Sequence, residues 1–225
     1  MLAWIGPDDP FPPVARALKD PNGLLAAGGD LSQDRLLDAY RHGIFPWFSR
    51  GEPILWWSPD PRMVLHTREL KISRSLAKNL RNKGYRVTAD TAFREVLKGC
   101  SNRKETWLGR AMQAAYFGLH QSGHAHSFET WRGDDLVGGL YGVAIGRMFY
   151  GESMFSTMTD ASKVALAGLV RTLAAKGFPL IDCQMKTPLL ASLGGREIPR
   201  AAFLRTLAAL VNYEELPGKW SCVET

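Results

Sequence analysis

Pro59 and Pro61 stand two residues apart in SPDPR (58–62), and this pair constrains the fold more than any other feature of the chain. Each proline fixes its own φ, lacks an N–H and pushes the preceding residue out of the helical region. No helix or central strand can run through such a pair. The sequence also changes texture there. Residues 1–62 are rich in Pro and Gly, and gather Phe45, Trp47, Phe48, Trp56 and Trp57 on segments too broken for a long helix. Beyond them, helix and strand signals alternate. The break predicts a small N-terminal domain over 1–61 and a larger domain over 62–225.

The N-terminal part holds one clear helical pattern. Asp30 or Ser32 can cap it, Leu31, Leu36, Leu37 and Tyr40 give it an apolar face, and Gly43 ends it. In the second part Ser73 can cap a helix running to Gly84, YRVTAD (85–90) reads as a strand, and 90–100 and 108–121 read as helices. AHSFETW, LVGGLYGVAI and RMFYGES follow as strands joined by tight turns. Next come a helix over about 160–176, the strand PLIDCQM, a short helical turn before Gly194 and Gly195, and a last helix from Pro199. A meander flanked by helices predicts an α+β or α/β domain with helices packed on a mixed sheet.

The 225 residues are 45% apolar and 22% charged, the composition of a globular protein. Three widely spaced cysteines, Cys100, Cys183 and Cys222, suggest neither a disulfide framework nor a metal knuckle. The N-terminus does not read as a signal peptide, and no apolar run approaches the ~18 residues that span a bilayer. A reducing, cytoplasmic setting is expected. The surplus of 28 Lys+Arg over 22 Asp+Glu matters through its placement. From Arg62 to Arg86 eight basic residues face a lone Glu69, and Arg74, Lys78 and Arg81 form one helical stripe opposite Leu76 and Leu80. A one-sided basic array suits phosphates, because affinity comes from neutralising several together. The alternative is a solubilising face.

Four further clusters carry chemistry. In LIDCQ (180–184), strand alternation puts Asp182 and Gln184 on one face and Cys183 on the other. A carboxylate among apolar neighbours is costly to bury unless paired or used. Asp182 and Gln184 could hold an amine and orient an acyl group; the alternative is a structural Asp bonded to a loop. Glu152, in FYGESMFS (149–156), sits at an expected strand-to-helix passage, capped locally or presented to a cleft. The run resembles a GxSxG elbow only superficially, with Phe155 at the last position. Leu166, Leu169, Val170 and Leu173 share a helix face that serves equally as core or as an apolar pocket. His120, His124 and His126 lack an evident fourth ligand, so no metal site is expected. With no P-loop or Rossmann fingerprint, neither ATP nor a dinucleotide is indicated.

Taken together, NGLLAAGGDLS, YRHGIFPWFS, ILWWSPDPR, KISRS, GHAHSFE, LVGGLYGVAIG, YGESMFS, ASKVAL, LIDCQ and LGGREIPR resemble the bacterial leucyl/phenylalanyl-tRNA–protein transferase family, from about Asn22 to Arg200. The resemblance implies transfer of leucine or phenylalanine from aminoacyl-tRNA to the N-terminal α-amine of proteins starting with Arg or Lys, marking them for N-end-rule degradation. It implies a catalytic domain similar to the acyl-CoA N-acyltransferase fold. That superfamily's Q/R-x-x-G-x-G/A pyrophosphate loop is missing here, so coenzyme A is not expected as donor. No cofactor is implied, no membrane partner, and a monomer by default.

The same resemblance assigns residues. Asp182 would bind the reacting amine or act as its base, Gln184 would orient the acyl group, and Glu152 would contact the aminoacyl group or acceptor amine. Leu140, Phe149, Leu166, Leu169 and Leu173 would line the side-chain pocket. Trp47 and Trp107, with Tyr116 nearby, would be ring platforms beside the terminal adenosine, where stacking offers ~1–3 kcal/mol per base. Arg68, Lys71, Arg74, Lys78, Arg81, Lys83 and Arg86 would take acceptor-stem phosphates. Trp56 and Trp57 read as core at the domain seam. Two other classes compete: a small-molecule N-acyltransferase, against which the missing loop counts, and a non-catalytic RNA-binding module, against which the Asp182–Gln184 pair and the pocket count.

Overall fold

The computed structural model describes residues 2–102, 106–214 and 218–223. Two sheets organise them, and the proline pair lies between the two. Strands β1 (Ala3–Ile5), β2 (Leu24–Gly28), β3 (Phe45–Pro46) and β4 (Leu55–Trp57) form a sheet in the order β1-β2-β4-β3. Helix α1 (Gln33–Arg41) joins β2 to β3, with Ser32 Oγ accepting the Arg35 N–H as its N-cap. None of these four strands was expected. At two to five residues each they are too short for alternation to register, and β1, β3 and β4 hold a single face-pair at most.

The second sheet has seven strands: β5 (Arg62–His66), β6 (Tyr85–Ala89), β7 (Ala125–Arg132), β8 (Asp135–Ile145), β9 (Met148–Ser156), β10 (Leu180–Gln184) and β11 (Arg196–Ile198). Their order is β11-β5-β10-β9-β8-β7-β6, and every pairing is antiparallel except β9 with β10. The expected meander is β7–β8–β9. Strand β5, buried from Arg62 through Leu65, lacks polar alternation and so carried no strand signal.

Helices α2 (Arg74–Asn82), α3 (Phe93–Ser101), α4 (Arg110–Gln121), α5 (Ala161–Ala175), α6 (Pro188–Ser192) and α7 (Arg200–Leu210) pack around the sheet. Ser73 caps α2 through its side chain, as its position predicts. One core unites the first sheet with α1, α3, α4, α7 and the Tyr141–Tyr150 side of the second sheet. A second core lies under α5 and includes Leu140, Phe149, Ile181 and Trp220. Trp56 is fully buried and Trp57 nearly so, both in the first core.

Two irregularities place the site. In β9 the partners of Tyr141 and Gly142 are Ser153 and Gly151, so Glu152 is the extra residue of a bulge. Gly142 permits it, since a Cβ there would meet the Tyr150 carbonyl oxygen at 2.2 Å. In β10 the partners of Val64 and Met63 are Asp182 and Gln184, which leaves Cys183 as the extra residue. Parallel pairing of β9 with β10 stops at Tyr150 and Asp182, and beyond it the two strands part.

Candidate active site

A cavity of about 740 Å³ opens where β9 and β10 separate, a volume suited to a small organic ligand. Its apolar wall is Leu140, Met154, Leu166, Leu169, Ile181, Leu189 and Leu190, and Trp47 and Trp107 stand on its lining. Trp47 is 38% exposed; its carbonyl accepts the Trp57 Nε1–H at 2.6 Å and its ring lies edge-on to Trp57 at 5.3 Å. The buried neighbour thus holds the exposed ring in position.

The polar end of the cavity is Glu152 and Gln184. Bulges re-aim side chains, and here two bulges on adjoining strands bring these residues together. Gln184 adopts φ 62° and donates from Nε2 to Glu152 Oε1 at 2.9 Å. Tyr40 of α1 donates to Oε1 at 2.8 Å, and Tyr116 of α4 to Oε2 at 2.7 Å. Burial pushes the Glu152 pKa up to about 7 and nearby Asp182 adds to the rise; the tyrosine hydrogen bonds and Arg62 act against it.

Behind this end, Arg62 clasps Asp182 with two hydrogen bonds, Nε to Oδ1 at 2.8 Å and a terminal nitrogen to Oδ2 at 2.6 Å, both side chains fully buried. The guanidinium also donates to the Gly43 carbonyl and lies between the Phe45 and Phe203 rings, 4.8 and 4.7 Å from their centroids. Asp182 Oδ1 accepts the Gln184 backbone N–H at 2.8 Å. The ion pair therefore fixes the bulge that presents Gln184.

Known proteins resemble this chain over most of its length. The family model described as "Leucyl/phenylalanyl-tRNA protein transferase" matches residues 64–208, and the model of that family's N-terminal domain matches residues 29–60. A leucyl/phenylalanyl-tRNA–protein transferase of Thiobacillus denitrificans is 64% identical over 94% of this chain and 94% of its own length. That of Chromobacterium violaceum is 58% identical over 98% and 96%, and that of Pseudomonas syringae 61% over 90% and 91%. The chain belongs to the leucyl/phenylalanyl-tRNA–protein transferase family. Among solved structures, a GCN5-related N-acetyltransferase from Kribbella flavida aligns over 72% of this chain and 59% of its own, at 9% identity and a TM-score of 0.34.

For a member of this family, several expected positions need correction. Asp182 does not face the cavity: its carboxylate is 0% exposed and turned to Arg62. Asp182 and Gln184 do not share a face towards the cavity, because the bulge at Cys183 breaks the alternation. Cys183 lines the cavity, yet burial pushes its thiol well up, leaving it a poor nucleophile. Glu152 lies within β9, which runs on to Ser156, and not at a strand-to-helix passage.

Of the five pocket residues, Leu140, Leu166 and Leu169 line the cavity. Phe149 and Leu173 are fully buried behind it, in the core that includes Trp220. Trp47 and Trp107 are on the lining, whereas Tyr116 is fully buried and offers Glu152 a hydroxyl in place of a stacking face. Tyr40 and Arg62 were missed. In the sequence Tyr40 is one of several apolar helix positions and Arg62 the first residue of the basic run, and only long-range packing distinguishes either role.

The rest of the basic run is on the surface. Arg68, Lys71, Arg74, Lys78, Arg81 and Arg86 are exposed and Lys83 is half-buried. Two contacts tie the run to the ends of helices whose other residues line the cavity: the Lys71 N–H reaches the Leu193 carbonyl just after α6, and Asn79 bonds Asp160 just before α5. Of the three histidines, His120 Nδ1 is bonded to the Ala125 carbonyl and His126 Nδ1 to Asp90, with the His126 ring stacked on Trp220. Among the described residues no helix is long and apolar enough to cross a membrane.

Proposed function

We propose that this chain transfers leucine or phenylalanine from the 3′ end of its aminoacyl-tRNA to the N-terminal α-amine of proteins beginning with Arg or Lys, as a cytoplasmic monomer that marks them for N-end-rule degradation. The observation that carries this reading is the junction of an apolar cavity with the Glu152–Gln184 pair at one end and tryptophans on its lining. The names of the transferase relatives support it. We further propose residues 1–61 as an N-terminal domain that supplies Trp47 and Tyr40, and residues 62–225 as an acyltransferase-like catalytic domain.

The tRNA ester is already activated, so the chemistry needs positioning and proton transfer and no ATP. Holding amine and ester together can supply much of the acceleration. The aliphatic or aromatic donor side chain fills the space among Leu140, Leu166 and Leu169, and the terminal adenosine lies against Trp47 and Trp107. Gln184 has its Nε2 committed to Glu152, so its carbonyl oxygen is left to accept from the acceptor amine. Asp182 acts through the Gln184 backbone and not on the substrate. Phosphates of the acceptor stem meet Arg68, Lys71, Arg74, Lys78, Arg81, Lys83 and Arg86, which gives affinity with little sequence reading.

Incubation with radiolabelled leucyl-tRNA and a protein beginning with Arg, without ATP or coenzyme A, tests the reading. Label should move to the protein's N-terminus. Acetyl transfer from acetyl-CoA instead would establish the small-molecule N-acyltransferase, and tRNA binding without transfer the RNA-binding module.

A further inference from the structure

Glu152, Tyr40 and Tyr116 form a closed ring of three short oxygen contacts. Tyr40 Oη lies 2.8 Å from Glu152 Oε1, Tyr116 Oη 2.7 Å from Oε2, and the two hydroxyls 2.8 Å from each other. Each such contact needs one proton. With Glu152 ionised, the two hydroxyls supply two protons for three contacts, and one contact is left without a donor. A third proton, on Oε2, completes the ring: Oε2–H to Tyr116, Tyr116 to Tyr40, and Tyr40 to Oε1. Gln184 Nε2 still donates to Oε1 in that state. Both tyrosines are fully buried, and burial, followed by the Glu152 charge, raises their own pKa values well above the usual 10. The ring therefore exchanges its odd proton through Glu152, the member that lines the cavity.

We infer that Tyr40 and Tyr116 are positioning residues which make Glu152 the acceptor for the proton released by the incoming N-terminal ammonium. This rests on the transfer reaction proposed above. The ammonium gives one proton to the Glu152 carboxylate and becomes a neutral amine. Its nitrogen then bonds to the ester carbonyl carbon, the bond from that carbon to the ribose 3′-oxygen breaks, and the second amine proton leaves with that oxygen. Glu152 returns its proton to solvent, and the balance is one proton released per amide formed.

The groups facing the ring are few. Asp182 on β10 raises the Glu152 pKa and Arg62 on β5 lowers it. Tyr141 packs edge-on to Tyr116 at 5.2 Å. Tyr150 donates to the Tyr40 carbonyl, and its pKa, like that of Cys183, is raised by burial. Among the described residues, Glu152 is the member of the ring that lines the cavity.

The test is the pH profile of kcat/KM for the full-length chain with leucyl-tRNA and an Arg-initiated peptide, in the parent, Tyr116→Phe and Tyr40→Phe. Bonds donated to the ionised carboxylate are stronger than the neutral bonds that a third proton completes, so the tyrosines hold the Glu152 pKa down and keep it able to accept, and removing one hydroxyl should move the acid limb up by about one pH unit. Transfer at pH 6.5 should then fall roughly tenfold, more than at high pH. The acceptor amine's own titration is common to all variants and does not move. A second readout needs no turnover. The infrared carbonyl band of a protonated carboxylic acid, lost in Glu152→Gln, should titrate near neutral pH in the parent and higher in Tyr116→Phe. A uniform loss of rate at every pH, or a carboxyl band with the same midpoint in both proteins, overturns the inference. If the parent itself transfers nothing, the reaction assignment fails; the infrared midpoint still decides whether the ring sets the Glu152 proton.

Discussion

Asp182 and Glu152 lie on neighbouring parallel strands, both at bulges and both among apolar neighbours, yet the fold treats them in opposite ways. Asp182 receives a guanidinium, two hydrogen bonds from one side chain and the Gln184 amide. Glu152 receives two phenol hydroxyls and a carboxamide, none of which carries charge. A buried carboxylate neutralised by arginine is fixed in place, because removing either partner strands a charge in a low-dielectric interior. A carboxylate held by neutral donors keeps its charge uncompensated, so its proton can come and go near neutral pH. The first arrangement suits a support and the second suits chemistry.

Replacing the guanidinium should produce the largest effect. Arg62→Met leaves Asp182 buried without its ion pair and should cost about 3–5 kcal/mol of stability, read as a lower denaturation midpoint. A change under about 1 kcal/mol would remove the contrast, since Asp182 would then need no arginine. Next in size, Glu152→Gln should reduce transfer at least about a hundredfold, within the range of general acid–base catalysis, while tRNA binding persists.

The same substitution should have a pH-dependent effect on stability. The folded pKa of Glu152 is raised from 4.5 to about 7. The native state therefore holds more protons than the unfolded state between these values, and stability falls as pH rises through that window. Its favourable contribution is fully present below pH 4.5 and lost above pH 7. Glu152→Gln, which cannot titrate, should gain on the parent from pH 5 to pH 8, by several degrees in Tm. A constant difference across that range would mean the carboxylate is not perturbed.

Two smaller effects sharpen the contrast by leaving the pH limb in place. Leu169→Phe, on the apolar wall, should lower transfer of phenylalanine relative to leucine by roughly tenfold, the scale set by ~1–3 kcal/mol per methylene in such a pocket. Changing Arg74, Lys78 and Arg81 to Ala should flatten the log–log salt dependence of tRNA binding by about 2–3 units. If either variant shifts the limb, the polar end is not insulated from the rest of the cavity.

Much of the scaffold was readable along the chain. Ser32 and Ser73 marked helix starts because capping is local, and the β7–β8–β9 meander showed itself as runs bounded by the RGDD turn and Gly146. Strands β1, β3 and β4 escaped notice because three residues or fewer carry no period. The site was half readable. Glu152 and Gln184 were singled out, but alternation put Asp182 beside Gln184, and a one-residue bulge reverses such a prediction. Phe149 and Leu173 had the apolar character of pocket residues, and nothing in spacing separates a cavity wall from the layer behind it.

The rings between Gly43 and Arg62 show the division most clearly. Composition and the proline pair alone put them on broken segments and predicted a seam there, because backbone chemistry acts over a few residues. That Trp57 holds Trp47 at the cavity, that Arg62 turns inward to Asp182 at a sequence distance of 120, and that Tyr40 and Tyr116 meet on Glu152 were decided only by tertiary packing. Those partners come from different elements, and whether a carboxylate is clamped or left to titrate depends on which of them burial brings within hydrogen-bond reach.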